Sequence, residues 1–152
     1  MNAPAPALLI GIGNRLRGDD GAGYRLARIL ARRPPPGVQV LALPQLTPEL
    51  AEPLARCSRV LFIDAVLAAG EPAQDLRLQP LGPNAAADAF SHRLSPAQLL
   101  GLSQALYRRC PPATQLLIPA EQWALNAQLS TTTAAACRAA LPLLQHWSQG
   151  DA

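Results

Sequence analysis

The sequence predicts an α/β fold: a single-domain, three-layer αβα sandwich with a mostly parallel central sheet. Three observations carry that expectation. From residue 7 to residue 65, strand-like and helix-like patterns alternate β, α, β, α, β, the order that builds parallel strands with helices on both faces. The strand segments at 7–12 and 60–63 are continuously apolar, as strands covered on both sides are. The 152 residues are 49% hydrophobic and 15% charged, enough for one core and too apolar for a disordered chain.

The stretch Leu8 to Gly23, LLIGIGNRLRGDDGAG, organises the rest. An apolar strand at 7–12 turns on Gly11, Gly13 and Asn14, passes the adjacent acids Asp19 and Asp20, and enters a helix through Gly21 and Gly23. Asp can accept bonds from the free N–H groups of a helix start. Two acids exceed what one cap needs, so one is available to hold a cation or to act on a substrate. A strand, a glycine loop and a helix also suggest dinucleotide binding. That fingerprint wants a third glycine where Leu16 stands, and it would set phosphate beside two carboxylates of the same sign. This alternative is therefore marked down.

The first helix is expected over 21–33, with Ala22, Leu26, Ile29 and Leu30 facing inward and Arg32 and Arg33 at its end, where cations suit the helix dipole. Pro34-Pro35-Pro36-Gly37 stops it, and 38–43 is a second short strand. Thr47 and Pro48 read as N-cap and first residue of a second helix ending near Ala55, with Glu49 in its first turn. The third strand, 59–65, is expected to end at Asp64. Residues 76–81 suggest an edge strand, since Pro80 lies within it. A small-residue loop, 82–89, leads to Ser91-His92. Ser95, Pro96 and Gln98 form a capping box for a helix burying Leu99, Leu102 and Leu106. An apolar strand at 115–118 precedes an irregular segment, 119–129. Ser130 opens a last helix with Ala134, Cys137, Leu141, Leu144 and Trp147 on one stripe, which Pro142 is expected to kink or end early.

The formal charge of +3 comes from scattered arginines, and aromatics are only 4%, so a nucleic-acid footprint is not expected. No apolar run approaches the ~20 residues that span a bilayer. Met1 to Pro6 lacks the basic start of a signal peptide, which points to a cytoplasmic protein with no membrane partner. Cys57, Cys110 and Cys137 are odd in number, far apart and without CxxC spacing, as packed, reduced thiols would be.

In such sheets ligands gather at the carboxyl ends of the strands. The Asp19–Asp20 loop comes after strand one and Asp64 closes strand three, so periodicity puts both at one rim. Asp20, Asp64 and His92 then stand out as polar residues at loop or strand-end positions. Two carboxylates and an imidazole suit a first-row divalent metal. Each also has a structural explanation: Asp20 as a helix cap, Asp64 as a cap on the segment after strand three, His92 as a hydrogen-bonded loop residue.

GIGNRLRGDDGAG, then an apolar strand ending in Asp64, then Ser91-His92-Arg93-Leu94-Ser95, resembles the hydrogenase maturation endopeptidases. The resemblance runs from Leu8 to the last helix. It implies a parallel sheet flanked by helices, and Asp20, Asp64 and His92 as the metal-contacting and catalytic residues. It implies removal of a C-terminal extension from the large-subunit precursor of a nickel–iron hydrogenase after nickel insertion. The nickel would belong to the substrate and signal its readiness. The carboxylates and the imidazole would complete the shell of an ion partly held by substrate thiolates, and a carboxylate could activate water. Whether hydrolysis is metal-assisted or carboxylate-driven stays open. The partner is then the precursor, met by a monomer. A non-catalytic nickel- or precursor-binding chaperone is the alternative that the same residues allow. Two departures bear on the substrate subgroup: Pro44-Gln45-Leu46-Thr47 stands where many relatives carry a glycine-rich turn, and the glycine often found just before Leu129-Ser130 is missing.

Overall fold

The structure, a computed structural model, describes residues 5–67, 76–84, 93–126 and 128–150. One five-stranded sheet runs in the order β2-β1-β3-β5-β4, with β1 Ala7–Ile12, β2 Val38–Leu43, β3 Val60–Leu67, β4 Arg77–Leu81 and β5 Ala113–Ala120. β1 pairs in parallel with β2 and β3, and β3 with β5. β4 alone is antiparallel, and it is an edge strand, where Pro80 leaves no inner neighbour short of an N–H.

Among the described residues four α-helices cover the sheet: α1 Ala22–Arg32, α2 Ala51–Arg56, α3 Pro96–Tyr107 and α4 Thr131–Ser148. Alternation along the strands sorts the core into two layers. Leu9, Leu61, Ile63, Leu116 and Ile118 pack with α1 and α4, while Leu8, Ile10, Val60 and Phe62 pack with α2 and α3. This is the expected three-layer αβα sandwich. The capping box of α3 is present: Ser95 Oγ accepts from Gln98 N–H at 3.1 Å, and Gln98 Oε1 accepts from Ser95 N–H at 2.8 Å. The three cysteines are free thiols, and burial pushes Cys57 and Cys137 up to about 11. Among the described residues no helix is long and apolar enough to cross a membrane.

Several expectations are corrected. β3 does not end at Asp64 but continues to Leu67, because β5 pairs with it up to Leu67↔Ala120. β5 likewise runs through Pro119, which sits in a ladder rather than in an irregular segment. Thr47 does not cap a backbone N–H; its hydroxyl bonds the Glu49 carboxylate, and the chain enters α2 through a 3-10 turn, Pro48–Leu50. Ile29 is half exposed, because the buried stripe of α1 runs Ala22, Gly23, Leu26, Ala27, Leu30 and leaves Ile29 on its flank. Leu106 is exposed, since the stripe of α3 is centred on Leu99, Leu100 and Ser103.

Pro142 does not end α4, which continues to Ser148. It lies on the exposed side, where water can hydrate the carbonyl that lost its partner. The far end is also held. Arg59 donates to Trp147 O at 2.6 Å and to Ser148 O at 3.3 Å, with its guanidinium 4.0 Å from the Trp147 ring. That arrangement satisfies two helix-end carbonyls and adds a cation–π contact.

Candidate functional site

Close backbone contact sets the site. A Cβ on Gly23 would lie 2.4 Å from Ile63 O and 2.6 Å from Ile12 O, so only glycine lets α1 begin directly over the carboxyl ends of β1 and β3. A Cβ on Gly13 would lie 1.9 Å from Asp20 O, so the β1 turn and the 3-10 turn Gly18–Gly21 are packed backbone to backbone. The loop is thereby folded onto itself. Gly13 N–H donates to Leu43 O at 3.1 Å, and Asn14 N–H donates to Asp20 Oδ2 at 3.0 Å. The amides that would cradle a pyrophosphate are thus committed within the chain, which argues against the dinucleotide alternative.

The two acids of the loop have different jobs, and neither caps α1. Asp19 is fully buried. Its Oδ2 accepts from Glu121 N–H at 2.8 Å, Gln122 N–H at 3.0 Å and Ser130 Oγ–H at 2.8 Å, and its Oδ1 accepts from Ser130 N–H at 2.7 Å. Its own N–H donates to Gln122 O at 2.9 Å. Burial pushes the carboxyl up, but these donors outweigh it and hold Asp19 below the usual carboxylate range. Asp19 therefore latches the β1–α1 loop to the β5–α4 loop. Asn126 N–H adds a second strap, donating to Leu16 O at 2.7 Å.

Asp20 is buried to 3% exposure, and its Oδ2 accepts from Asn14 N–H within its own loop rather than from the β5–α4 loop. The pairing of β1 with β3 ends at Gly11↔Ile63, so Asp64 is the first residue of β3 beyond the cover of β1. On its other side Asp64 still has β5, opposite Leu117. Strand alternation puts Asp64 on the Phe62 side of the sheet, toward the residues leading into α3. Burial pushes its carboxyl up to about 6, the charge of Asp20 adds to the rise, and the Ala65 N–H and the Arg93 guanidinium oppose it. Asp20, after β1, and Asp64, where β3 leaves the cover of β1, are thus near enough for their charges to interact.

His92 and Ser91 lie outside the described residues. Among the described residues no three His, Cys, Asp or Glu side chains group as a metal cage, and Asp20 and Asp64 stand as a pair of hard oxygen donors. One oxygen of Asp20 is already oriented by Asn14 N–H. A carboxylate pair in which one member has a raised pKa can bind a cation, or can hold and release a proton near neutral pH. Sequence reasoning missed Asn14 and Ser130 as the partners that orient the acids. The doubled Asp and the Leu129-Ser130 helix start were the only signals for them.

No protein-family model and no curated protein matches the chain. Solved structures do. The hydrogenase maturating endopeptidase HybD from E. coli matches with a TM-score of 0.70 at 20% identity, over 95% of this chain and 93% of that one. The [NiFe] hydrogenase maturation protease HycI from Thermococcus kodakarensis gives 0.70 at 19% identity, over 97% and 95%. A hydrogenase 2 maturation peptidase from a Thaumarchaeota archaeon gives 0.66 at 24% identity, over 93% and 97%. The chain has the fold of these hydrogenase maturation peptidases over 93–97% of its length.

Proposed function

We propose that the chain is a hydrogenase maturation endopeptidase, which removes the C-terminal extension of a nickel–iron hydrogenase large-subunit precursor once nickel is in place. The charge interaction between Asp20 and Asp64, just beyond the end of the β1–β3 pairing, is the observation that supports this reading. The fold shared with proteins named as maturation proteases and the GIGNRLRGDDGAG motif support it. The nickel is the substrate's. Bound there, it would polarise the scissile carbonyl as a Lewis acid. Asp20 and Asp64 would dock that ion. We propose His92 as the third donor, on the strength of the Ser91-His92-Arg93-Leu94-Ser95 motif.

The chain's own groups suggest a division of labour. Asn14 N–H keeps one Asp20 oxygen pointed inward, so Asp20 serves as the fixed member of the pair. Asp64, with its carboxyl pushed up to about 6, is the member that can take a proton from attacking water and return it to the leaving amine. The Asp19 latch holds both loops of the rim in register without touching the reaction.

The test is to incubate the purified protein with precursor, with and without nickel loaded, and to weigh the products by mass spectrometry. A shortened precursor in the nickel-loaded sample alone is expected. Unchanged mass with retained binding would instead identify a non-catalytic chaperone.

A further inference from the structure

A second feature adjoins the rim but is not used by the chemistry above. α1 and the start of α4 enclose a groove of about 330 Å³, with Arg15, Arg25, Arg28 and Arg32 along it and Leu129 and Cys137 among the residues that line it. Arg25, Arg28 and Arg32 succeed one another at i, i+3 and i+7, one stripe about 10 Å long on a helix. Between Gly21 and Pro48 the sequence holds four arginines and no acid. Among the described residues no carboxylate lines the groove, and the salt bridge formed is Arg56–Glu52, on α2. The nearby Asp19 is buried and hydrogen-bonded to four donors. Ile29, 50% exposed, lies between Arg28 and Arg32 and joins Leu26 and Leu129 in an apolar lining. Two of its lining residues adjoin the candidate site in the chain: Arg15 belongs to the loop that carries Asp20, and Leu129 precedes the Ser130 that Asp19 grips.

We propose that this groove docks an acidic segment of the precursor, carrying at least one apolar side chain, alongside the carboxylate rim. The proposal rests on the function proposed above for its partner and goes beyond it in assigning a recognition surface. Charge complementarity selects an acidic occupant. The lining apolar residues and the length of the arginine stripe favour a peptide segment over a small anion, which needs converging donors rather than a line of them. Nucleic acid is disfavoured because Arg15 already lies over Tyr24, at 5.9 Å from the ring centroid, leaving no bare aromatic platform in the groove.

The test compares wild type, Arg25→Glu/Arg28→Glu and Ile29→Ser for binding and cleavage of nickel-loaded precursor, at about 50 mM and about 300 mM salt. All three positions are exposed, and circular dichroism verifies the fold. At low salt the double variant should associate about tenfold more slowly than wild type, and the difference should shrink at high salt. Ile29→Ser should weaken binding by about threefold at both salts, as loss of an apolar contact does. Equal association rates for wild type and the double variant, with cleavage intact, would overturn the docking proposal and leave the proposed activity standing. Salt-sensitive binding without any cleavage would do the reverse. Tighter binding of inorganic phosphate or RNA than of precursor would also overturn the docking proposal.

Discussion

Replacing Asp19 by Asn isolates the latch from the chemistry. The Asp19 carboxylate accepts four hydrogen bonds from groups 102 to 111 residues away in the chain. An amide cannot reproduce that pattern. If its oxygen takes the Glu121, Gln122 and Ser130 Oγ side, its NH₂ meets the Ser130 N–H; turned over, its NH₂ meets two backbone N–H groups. At least one buried N–H loses its acceptor, which costs about 1–3 kcal/mol, and the remaining bonds lose their charge assistance, at about 1 kcal/mol or more together. We expect Asp19→Asn to destabilise the fold by about 3 kcal/mol, a lowering of Tm by about 10 °C for a chain of this size. The pH dependence gives a sharper check. The folded pKa lies below the reference value of 3.8, so the stabilisation is fully present above that pH and is lost as pH falls through the folded pKa. Urea titrations from pH 7 to pH 3 should therefore show a constant gap between wild type and variant that begins to close only at the acid end. A gap under about 0.5 kcal/mol at pH 7, or one that widens on acidification, would refute the latch.

The geometry yields three further expected outcomes. In an NMR titration, Asp64 should titrate near 6 in the wild type and lower in Asp20→Asn, because Asp20 contributes to its rise; an unchanged value would mean the two acids do not sense each other. Gly13→Ala should lose about 3 kcal/mol or fail to accumulate folded, since its Cβ would meet Asp20 O at 1.9 Å, and near-wild-type thermal stability would show that the loop is not packed as described. Arg59→Ala should cost about 2 kcal/mol through the Trp147 and Ser148 carbonyls and the Trp147 ring, with faster amide exchange confined to the last turns of α4; uniform exchange changes along the helix would contradict that.

Much of the architecture was legible because it is local. The apolar run 7–12 and the Ser95-Pro96-x-Gln98 box each declare their element in a few residues, and β1 and α3 form there. Asp64 was expected to close its strand, but β3 extends past it, since pairing with β5 rather than composition decides where that strand stops. The identity of the latch was not legible: Asp19 and Asp20 are adjacent and alike, and only the return of the β5–α4 loop tells which one it grips. Pro142 misled for a similar reason. A proline's penalty depends on which side of the helix it faces, and the packing of α4 on the sheet decides that. His92 remains a reading of the sequence alone.

Asp64→Asn tests the central claim most directly, because it removes one carboxylate of the pair while changing almost no volume. The variant's fold is verified first by its thermal transition, and the mass of nickel-loaded precursor is then tracked over time. The expected result is a folded protein that binds precursor and leaves its length unchanged, while wild type shortens it. Shortening by the variant at the wild-type rate would contradict the claim that the Asp20–Asp64 rim does the cutting.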